Sequence, residues 1–237
     1  MQQVLITGAS SDIGIATCKK YLANGFHVVG HYNRGQDGFF ELVDASPSMQ
    51  AVQINLSGSN DIEQALIQYE DLIQKTDVLI NMAAISQPKP FSEITATDII
   101  ETLNVNLIAA LLFIRVVTPG MIKRNWGRIV NAGSIGVKFG GGVNSFCYSL
   151  SKHSLEFMPA DHKKWAAKNV FVNTLRVGVT DTKAHIKDPE KNMKSRVELI
   201  PAKRMARPDE IADAVYWFGS DQNSFTTGQV ISVAGGE

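Results

Sequence analysis

Cysteine is scarce in this chain: it occurs only at Cys18 and Cys147, which is too few for a disulfide framework. Neither belongs to a C-x-x-C pair, and the five histidines show no metal-ligand spacing, so we expect reduced thiols and no bound metal. A formal net charge of zero provides no basic surface of the kind that attracts nucleic acid. Neither a signal peptide nor an apolar run of the roughly 20 residues that a bilayer requires is predicted. We therefore expect a cytoplasmic protein that contacts neither nucleic acid nor membrane.

The order of the apolar segments predicts the fold. The 237 residues, 44% of them hydrophobic, can bury one sizeable core, so we expect a single domain over residues 1–237. Short, uninterrupted apolar stretches such as QVLIT and DVLIN alternate with helical patterns of about ten or more residues. Strands that are apolar throughout are buried on both faces, which is typical of parallel βαβ units. The pattern therefore predicts a doubly wound α/β fold with a parallel sheet.

Two long helices and one irregular segment are predicted after the fourth strand. One helix runs from Asp98 to about Lys123, and another runs through Tyr148 to Ala167. Pro159 lies inside the second helix, where we expect it to cause a bend. Residues 183–207 have mixed charge, two prolines and weak periodicity. We interpret them as an insertion that covers the carboxyl ends of the strands and the substrate.

The segment TGASSDIGIA, residues 7–16, leaves the first predicted strand and opens the first predicted helix. Unpaired backbone N–H groups and the helix dipole at such a position favour an anion. Gly8 permits a sharp turn, and Gly14 permits the close approach of a pyrophosphate. The segment therefore indicates a dinucleotide site, although a tight turn that binds nothing is also consistent with these glycines.

Taken as T-G-x-x-x-G-x-(G/A), with Ala16 as the small residue in the third position, this turn resembles that of the short-chain dehydrogenase/reductase family. The resemblance extends over nearly the whole chain. NMAA at residues 81–84 resembles the family's N-N-A-G, and YSLSK at residues 148–152 its Y-x-x-x-K. RVGVTDT at residues 176–182 resembles its P-G-x-x-x-T, with Val177 in place of proline. Membership would imply a Rossmann-like, doubly wound parallel β-sheet of about seven strands, flanked by helices on both faces.

Four residues match the family's catalytic positions: Asn106, Ser134, Tyr148 and Lys152. Reduction of a carbonyl needs hydride from a nicotinamide and an acid within hydrogen-bond reach of the oxygen. The resemblance assigns the acid to Tyr148. Because a free phenol titrates at about pH 10, the ammonium of Lys152 is expected to lower the Tyr148 pKa, and also to bind the nicotinamide ribose. Ser134 is expected to polarise the substrate oxygen, and Asn106 to hold a water that resupplies the proton through Lys152.

Each of these residues also has an ordinary structural explanation. Tyr148 and Lys152 share one helix face at positions i and i+4, which is common on protein surfaces. Ser134 fits a helix N-cap, and Asn106 fits a buried polar residue bonded to backbone. Four such residues in this order, after a phosphate turn, favour the catalytic interpretation.

The end of the second predicted strand, His31-Tyr32-Asn33-Arg34, bears on the choice of cofactor. An acid at this position binds the ribose 2′-OH, whereas a nearby arginine accommodates a 2′-phosphate. Because no acid is present, Arg34 predicts NADP(H) in preference to NAD(H), with a solvated loop charge as the alternative. Carried over from the family, the predicted cofactor contacts are Gly8, Ser10, Ser11, Asp12, Ile13, Gly14, Asn33, Arg34, Asn55, Leu56, Asn81, Ala83, Tyr148, Lys152, Gly178, Val179, Thr180 and Thr182.

Three successive glycines with apolar neighbours separate Ser134 from Tyr148. We interpret this segment as a substrate loop, with a plain surface excursion as the alternative. The predicted substrate contacts are Ser134, Phe139, Val143, Phe146 and Tyr148.

The resemblance implies an NADP(H)-dependent oxidoreductase that interconverts a carbonyl and a secondary alcohol. Its general likeness is to 3-oxoacyl-carrier-protein reductases, with Arg128 at one carrier-docking position and Lys168 near another. Two alternatives stay open: a reductase of sugar or secondary-metabolite intermediates, and a catalytically idle dinucleotide sensor or scaffold.

Members of the family usually form tetramers by pairing the helices that follow the fourth and fifth strands. The first of these helices carries an apolar stripe here, at Leu103, Leu107, Ala110 and Leu111. We therefore expect a homo-oligomer, a tetramer or a dimer, unless the stripe only faces the sheet. Pro159 is expected to alter the packing along the second of these helices.

Overall fold

A computed structural model describes residues 1–183 and 192–237 of the chain. Its strands form one parallel sheet in the order β3-β2-β1-β4-β5-β6-β7, so the doubly wound, Rossmann-like prediction is confirmed. The strands are β1 (Gln3–Thr7), β2 (His27–Tyr32), β3 (Met49–Gln53), β4 (Val78–Asn81), β5 (Gly127–Ser134), β6 (Val170–Val177) and β7 (Val230–Val233).

Helices connect the strands throughout the described part of the chain. They are α1 (Asp12–Ala23), α2 (Asp37–Ala45), α3 (Ser59–Gln68), α4 (Glu70–Ile73), α5 (Ala96–Leu103), α6 (Ala109–Arg124), α7 (Phe146–Ser154), α8 (His162–Ala166), α9 (Met193–Glu198) and α10 (Pro208–Phe218). A π-helical turn, Asn104–Ile108, joins α5 to α6. Short 3₁₀ turns cover Phe91–Glu93 and Ile135–Phe139.

Both faces of the sheet are covered, because the central strands present apolar side chains to both sides. On one face, Ile62 of α3 and Phe113 of α6 belong to a buried cluster with the strands. On the other face, Tyr21 of α1 and Val215 of α10 belong to a second cluster. Cys18 lies in this second cluster, where burial raises the pKa of its thiol to about 12. Cys18 therefore contributes to packing rather than to thiol chemistry.

The prediction of one helix through Tyr148 to Ala167 is wrong. Helix α7 ends at Ser154, and α8 begins only at His162. Pro159 lies between them. It interrupts the helix because a proline has no N–H for the helical hydrogen bond and its ring collides with the preceding turn. The interruption leaves Phe157 largely exposed on the surface.

The helical segment Ala96–Arg124 is long and apolar enough to cross a bilayer by length and composition, contrary to the sequence expectation. Half of its most apolar stretch is buried within the protein, as is usual for the core helix of a soluble fold. The apolar stripe predicted for subunit pairing does not lie on one surface: part of it is buried in the core and part of it is exposed. Ala110 is buried against the sheet, whereas Leu111 is exposed.

Arg128 is a buried structural residue, although it matches a carrier-docking position of the 3-oxoacyl-carrier-protein reductases. Its guanidinium donates hydrogen bonds to the carbonyl oxygens of Asn169 and Asn223 and lies against the rings of Trp126 and Phe171. Only 2% of the residue is exposed, and burial lowers its pKa to about 10. Arg128 therefore fastens the loop after α10 to the start of β5 and cannot reach a partner.

Of the predicted insertion, residues 184–191 lie outside the described residues. The described remainder includes α9 and returns to the sheet, where Ala206 pairs with Thr180 after β6. The amide of Ala202 donates to the carbonyl of Gly235 after β7. This part of the segment therefore lies at the carboxyl ends of β6 and β7.

Candidate active site

Most of the predicted site residues lie at or just after the carboxyl ends of strands β1 to β6, and the others lie on α7 and in the π-helical turn. These ends share one edge of the sheet because all the strands are parallel. The chain reverses its strand order between β1 and β4, which lie side by side. In open α/β sheets, ligands bind in the crevice at this switch point.

The phosphate turn after β1 is built around two glycines. Gly8 has a φ of +70°, a region that favours glycine. A Cβ on Gly14 would collide with the carbonyl oxygen of Gly8. The N-cap of α1, Ser11, accepts a hydrogen bond from the Gly14 amide and donates one to the Gly8 carbonyl. The two glycines therefore allow a tight turn at the start of a helix, a position that fits a phosphate.

The register of this motif differs from the prediction. Counting T-G-x-x-x-G-x-(G/A) from Thr7 places Asp12 in the second glycine position and Gly14 in the third. Ala16 lies in the body of α1, outside the turn. Asp12 is the first residue of α1, and its Oδ2 accepts a hydrogen bond of 2.8 Å from the amide of Lys183.

His31 supports the turn from β2, a role that the sequence analysis missed. Its Nδ1 accepts a 3.2 Å hydrogen bond from the Gly8 amide, and its Nε2 donates one of 3.0 Å to the carbonyl of Ile54. The residue is 2% exposed, and burial lowers its pKa to about 4, so the imidazole is neutral at pH 7. The sequence signal that could have indicated this role was a histidine near the end of a largely apolar strand.

Beyond β2, Asn33 and Arg34 are exposed at the end where the sequence predicts the adenosine ribose. The carbonyl of Arg34 accepts a 3.1 Å hydrogen bond from Ser10 Oγ, which ties this loop to the phosphate turn. The side chain of Gln36 donates to the carbonyl of Ser10. The adenosine end and the phosphate turn are thus one connected structure.

After β3, Asn55 and Leu56 have different environments. Asn55 Oδ1 accepts hydrogen bonds from the amide and the hydroxyl of Ser57, at 3.1 and 2.8 Å, and so shapes the turn before α3. Leu56 is buried in the core.

The loop after β4 is bound to β1 through Thr7, whose Oγ accepts hydrogen bonds from the amides of Met82 and Ala83. Gly8 approaches this loop closely, since a Cβ there would lie 2.8 Å from the Cα of Ala83. The Nδ2 of Asn81 donates to Asn131, but its buried Oδ1 has no hydrogen-bond partner among the described residues. A buried acceptor beside the phosphate turn fits a site that receives donors from a bound dinucleotide.

Ser134, Tyr148 and Lys152 lie together at the ends of β5 and α7. Ser134 ends β5, and its side chain forms a hydrogen bond with Tyr148. Lys152 Nζ lies 5.9 Å from the centroid of the Tyr148 ring and donates a 2.7 Å hydrogen bond to the carbonyl of Ala132. Lys152 is only 2% exposed, so Tyr148 and Lys152 are not an ordinary i, i+4 pair on the protein surface.

Burial shifts both ionisable groups of this cluster. It raises the pKa of Tyr148, and the hydrogen bond with Ser134 offsets only part of that effect. It lowers the pKa of Lys152 from 10.5 to about 8. The expected lowering of the Tyr148 pKa is therefore wrong for this structure, because desolvation of the phenolate dominates. At pH 7 the cluster contains a neutral phenol beside a protonated amine.

Asn106 lies in the π-helical turn between α5 and α6, and such turns are frequent at functional sites. Its Oδ1 accepts from the amide of Ile85 at 2.8 Å, and its Nδ2 donates to the Ile85 carbonyl and to Ser151 Oγ. Asn106 thus joins the loop after β4 to α7, next to Lys152. These contacts are those of a buried polar residue bonded to backbone. They also place Asn106 near the cluster of Ser134, Tyr148 and Lys152.

The loop after β6 passes close to the end of β7. A Cβ on Gly178 would lie 2.6 Å from the Cα of Ala234. The hydroxyl of Thr180 donates to the Gly178 carbonyl, and the carbonyl of Val179 accepts from the amide of Ala206. Thr182 follows at the surface, partly exposed.

The predicted substrate residues Phe139, Val143 and Phe146 are all exposed on the segment between Ser134 and α7. The structure adds Phe91, which the sequence analysis missed and which meets the Phe146 ring edge to face at 4.8 Å. The glycines of this segment are hydrogen-bonded, since the amide of Gly141 donates to the carbonyl of Gly136. The segment therefore presents aromatic surface from a defined backbone.

The chain is similar to known oxidoreductases over nearly its whole length. The chain matches a family model described as Enoyl-(Acyl carrier protein) reductase over residues 8–237. It is 32% identical to 3-oxoacyl-(acyl-carrier-protein) reductase FabG of Aquifex aeolicus, covering 98% of this chain and 95% of that protein. It is also 32% identical to acetoacetyl-CoA reductase of Shinella zoogloeoides, covering 98% and 97%.

Solved structures agree with the sequence relatives. A 3-oxoacyl (acyl-carrier-protein) reductase from Agrobacterium tumefaciens, solved with NADP bound, has a TM-score of 0.87 at 26% identity and covers 100% of this chain and 94% of its own. A 4-hydroxyisoleucine dehydrogenase complexed with NADH has a TM-score of 0.89 at 25% identity, with coverage of 100% and 98%. The chain therefore belongs to the short-chain dehydrogenase/reductase family and is an NAD(P)-dependent oxidoreductase that acts on a carbonyl or CH–OH group.

Proposed function

We propose that this protein reduces a carbonyl to a secondary alcohol with NADPH and catalyses the reverse reaction with NADP⁺. The observation that carries the proposal is the cluster of Ser134, Tyr148 and the buried Lys152 at the same sheet edge as the phosphate turn. Burial keeps Tyr148 protonated at neutral pH, which suits a proton donor.

Each residue of the cluster has a separate role in the proposed reaction. The nicotinamide, when bound, supplies or receives the hydride. Tyr148 gives its hydroxyl proton to the substrate oxygen as that oxygen gains negative charge, and Ser134 donates a hydrogen bond to the same oxygen. Lys152 stabilises the resulting phenolate and holds the nicotinamide ribose. Asn106 positions α7 through Ser151 and supports the resupply of the proton through Lys152.

The cofactor is held along the crevice by the predicted contacts. Backbone groups of the turn from Gly8 to Gly14 bind the pyrophosphate, and Asn81 offers its unpaired Oδ1. Arg34 is exposed at the ribose end with no acid on the end of β2, which supports NADP(H) over NAD(H). Calorimetric titration with both cofactors tests this preference. Equal or tighter binding of NADH would contradict it.

The proposed substrate is a 3-oxoacyl thioester. Two kinds of support exist: relatives named as reductases of carrier-linked and CoA-linked substrates, and the aromatic surface of Phe91 and Phe146 beside the catalytic helix. Because Arg128 is buried, we favour a CoA thioester over a substrate that must dock a carrier protein at that position. The described residues of 183–207 lie where they can cover such a substrate.

An NADPH oxidation assay with acetoacetyl-CoA, a simple cyclic ketone and a keto-sugar tests the substrate class. We expect turnover with acetoacetyl-CoA to exceed that with the other two compounds. Faster turnover of the keto-sugar would support the sugar-reductase alternative. Tight NADP⁺ binding with no turnover of any compound would support the sensor alternative.

We further infer a cytoplasmic homo-oligomer, a tetramer in its complete form. Exposed apolar side chains lie on the two helical segments predicted to pair: Ile100 on α5 and Leu111 on α6 in the first segment, and Leu150 on α7 in the second. Exposed patches of this kind mark protein contacts. Light scattering at micromolar concentration tests the inference, and a monomeric mass would overturn it.

A further inference from the structure

Lys183 crosses from the loop after β6 to the phosphate turn. Its backbone amide donates a 2.8 Å hydrogen bond to Asp12 Oδ2, and its Nζ donates one of 3.2 Å to Gln36 Oε1. Gln36 in turn donates to the carbonyl of Ser10. We call Asp12, Gln36 and Lys183 the clasp. The clasp places a lysine from the far end of the chain over the β2 side of the crevice.

The charge of Lys183 is available to a ligand. The carboxylate of Asp12 accepts a hydrogen bond from the amide of Lys183. Among the residues that the structure describes, the ammonium of Lys183 contacts the neutral side chain of Gln36. Within the described part of the chain, no carboxylate forms an ion pair with Lys183 or with Arg34. Over residues 1–183 and 192–237, the side chains of Lys183 and Arg34 are therefore two cations without an ion-pair partner at this end of the crevice.

The position of the ammonium indicates which phosphate it meets. Gln36 follows Arg34 by two residues, in the loop after β2, where dinucleotide-binding folds distinguish a ribose 2′-OH from a 2′-phosphate. The backbone of Arg34 is held to Ser10, which also contacts Gln36. Lys183 thus contacts the same loop that carries Arg34.

We propose that Lys183 is a second phosphate-binding cation, which pairs with the 2′-phosphate of NADP(H) and determines the preference for this cofactor together with Arg34. The inference rests on the proposed function, because it requires a dinucleotide in the crevice. Asp12 and Gln36 are positioning residues that aim the lysine. A charge-assisted contact of this kind corresponds to an affinity gain of about 10-fold or more.

The test measures NADP⁺ and NAD⁺ binding by calorimetry in the full chain and in Lys183→Met. We expect the NADP⁺ dissociation constant to rise about 10-fold or more and the NAD⁺ constant to change less than about 2-fold. Lys19→Met, on the exposed face of α1, removes the same charge elsewhere and is expected to leave both constants unchanged. An equal loss of NADP⁺ and NAD⁺ affinity would assign Lys183 to the pyrophosphate and overturn the proposal.

Two further measurements separate the remaining outcomes. Competition with 2′-AMP and 5′-AMP isolates the ribose phosphate from the pyrophosphate, and only the 2′-AMP affinity is expected to fall in Lys183→Met. Gln36→Glu supplies a carboxylate to the ammonium and is expected to weaken NADP⁺ but not NAD⁺. Unchanged NADP⁺ affinity in Lys183→Met would end this inference and leave the proposed function standing. A wild type that binds neither nucleotide would end the proposed function itself.

Discussion

The imidazole of His31 accepts a hydrogen bond of 3.2 Å from the backbone amide of Gly8. This contact fixes the first residue of the phosphate turn to β2, and the second ring nitrogen is bound to the chain after β3 through Ile54. The phosphate turn is therefore positioned by a side chain from a neighbouring strand as well as by its own glycines.

His31 variants can separate its two hydrogen bonds. His31→Asn keeps an acceptor near the position of Nδ1, whereas His31→Gln keeps a donor near the position of Nε2. Each is expected to lose about 1 kcal/mol of unfolding free energy, as for one hydrogen bond. Only His31→Gln is expected to weaken NADP⁺ binding, by roughly 5- to 10-fold, because it releases Gly8. Equal NADP⁺ affinities for the two variants would show that His31 has only a structural role.

Tyr148→Phe keeps the ring and removes the acid. Turnover is expected to fall by roughly 10²- to 10⁴-fold, the usual contribution of general acid–base catalysis. NADP⁺ affinity should stay close to that of the wild type, as measured by calorimetry. Wild-type turnover in Tyr148→Phe would refute the proposed mechanism.

The neighbours of Tyr148 should produce distinguishable defects. Ser134→Ala is expected to reduce turnover and spare NADP⁺ binding, because its hydroxyl is proposed to contact only the substrate and Tyr148. Lys152→Ala is expected to weaken turnover and NADP⁺ binding together, because it removes both a charge and a ribose contact. Steady-state kinetics combined with calorimetry checks this division.

The lowered pKa of Lys152 predicts a pH dependence of stability. The folded protein releases this proton near pH 8, whereas the unfolded chain retains it to about pH 10.4. Between these values the unfolded state binds more protons, so the contribution of Lys152 to the unfolding free energy rises with pH by up to about 3 kcal/mol. Urea unfolding of the wild type and of Lys152→Met, from pH 7 to 10, measures the difference. A difference that stays constant over this range would contradict the prediction.

Arg128 should be important for stability and not for docking. Arg128→Met leaves the carbonyls of Asn169 and Asn223 without their donor and is expected to cost about 2–4 kcal/mol of unfolding free energy. Lys168→Met, at an exposed position, is expected to change it by less than about 0.5 kcal/mol. Similar unfolding midpoints for the two variants would refute the structural role.

The exposed Leu111 on α6 predicts the effect of a surface charge on assembly. Leu111→Glu is expected to lower the mass measured by light scattering, because it places a carboxylate in the proposed subunit contact. Ile67→Glu, at an exposed apolar position on α3, is the matched control and should leave the mass unchanged. Loss of assembly in both variants would point to a different interface.

The sequence predicted the parts of this protein that depend on local spacing. Apolar strands alternating with helical patterns led to the observed parallel sheet. The i, i+4 spacing of Tyr148 and Lys152 placed both on α7. The prediction of one continuous helix through Tyr148 to Ala167 was wrong because one local signal, Pro159, outweighed the helical periodicity around it.

Only the tertiary structure decided which distant groups meet and which are desolvated. Gly8 and His31 are 23 residues apart, and Asp12 and Lys183 are 171 apart, so no local pattern relates them. Arg128 matches a carrier-docking position in sequence, but it is buried and holds the loop after α10 to β5. Burial also raises the pKa of Tyr148, which the nearby lysine was expected to lower. Sequence spacing fixes backbone geometry over a few residues, whereas burial, hydrogen-bond partners and pKa values depend on neighbours that only the folded sheet brings together.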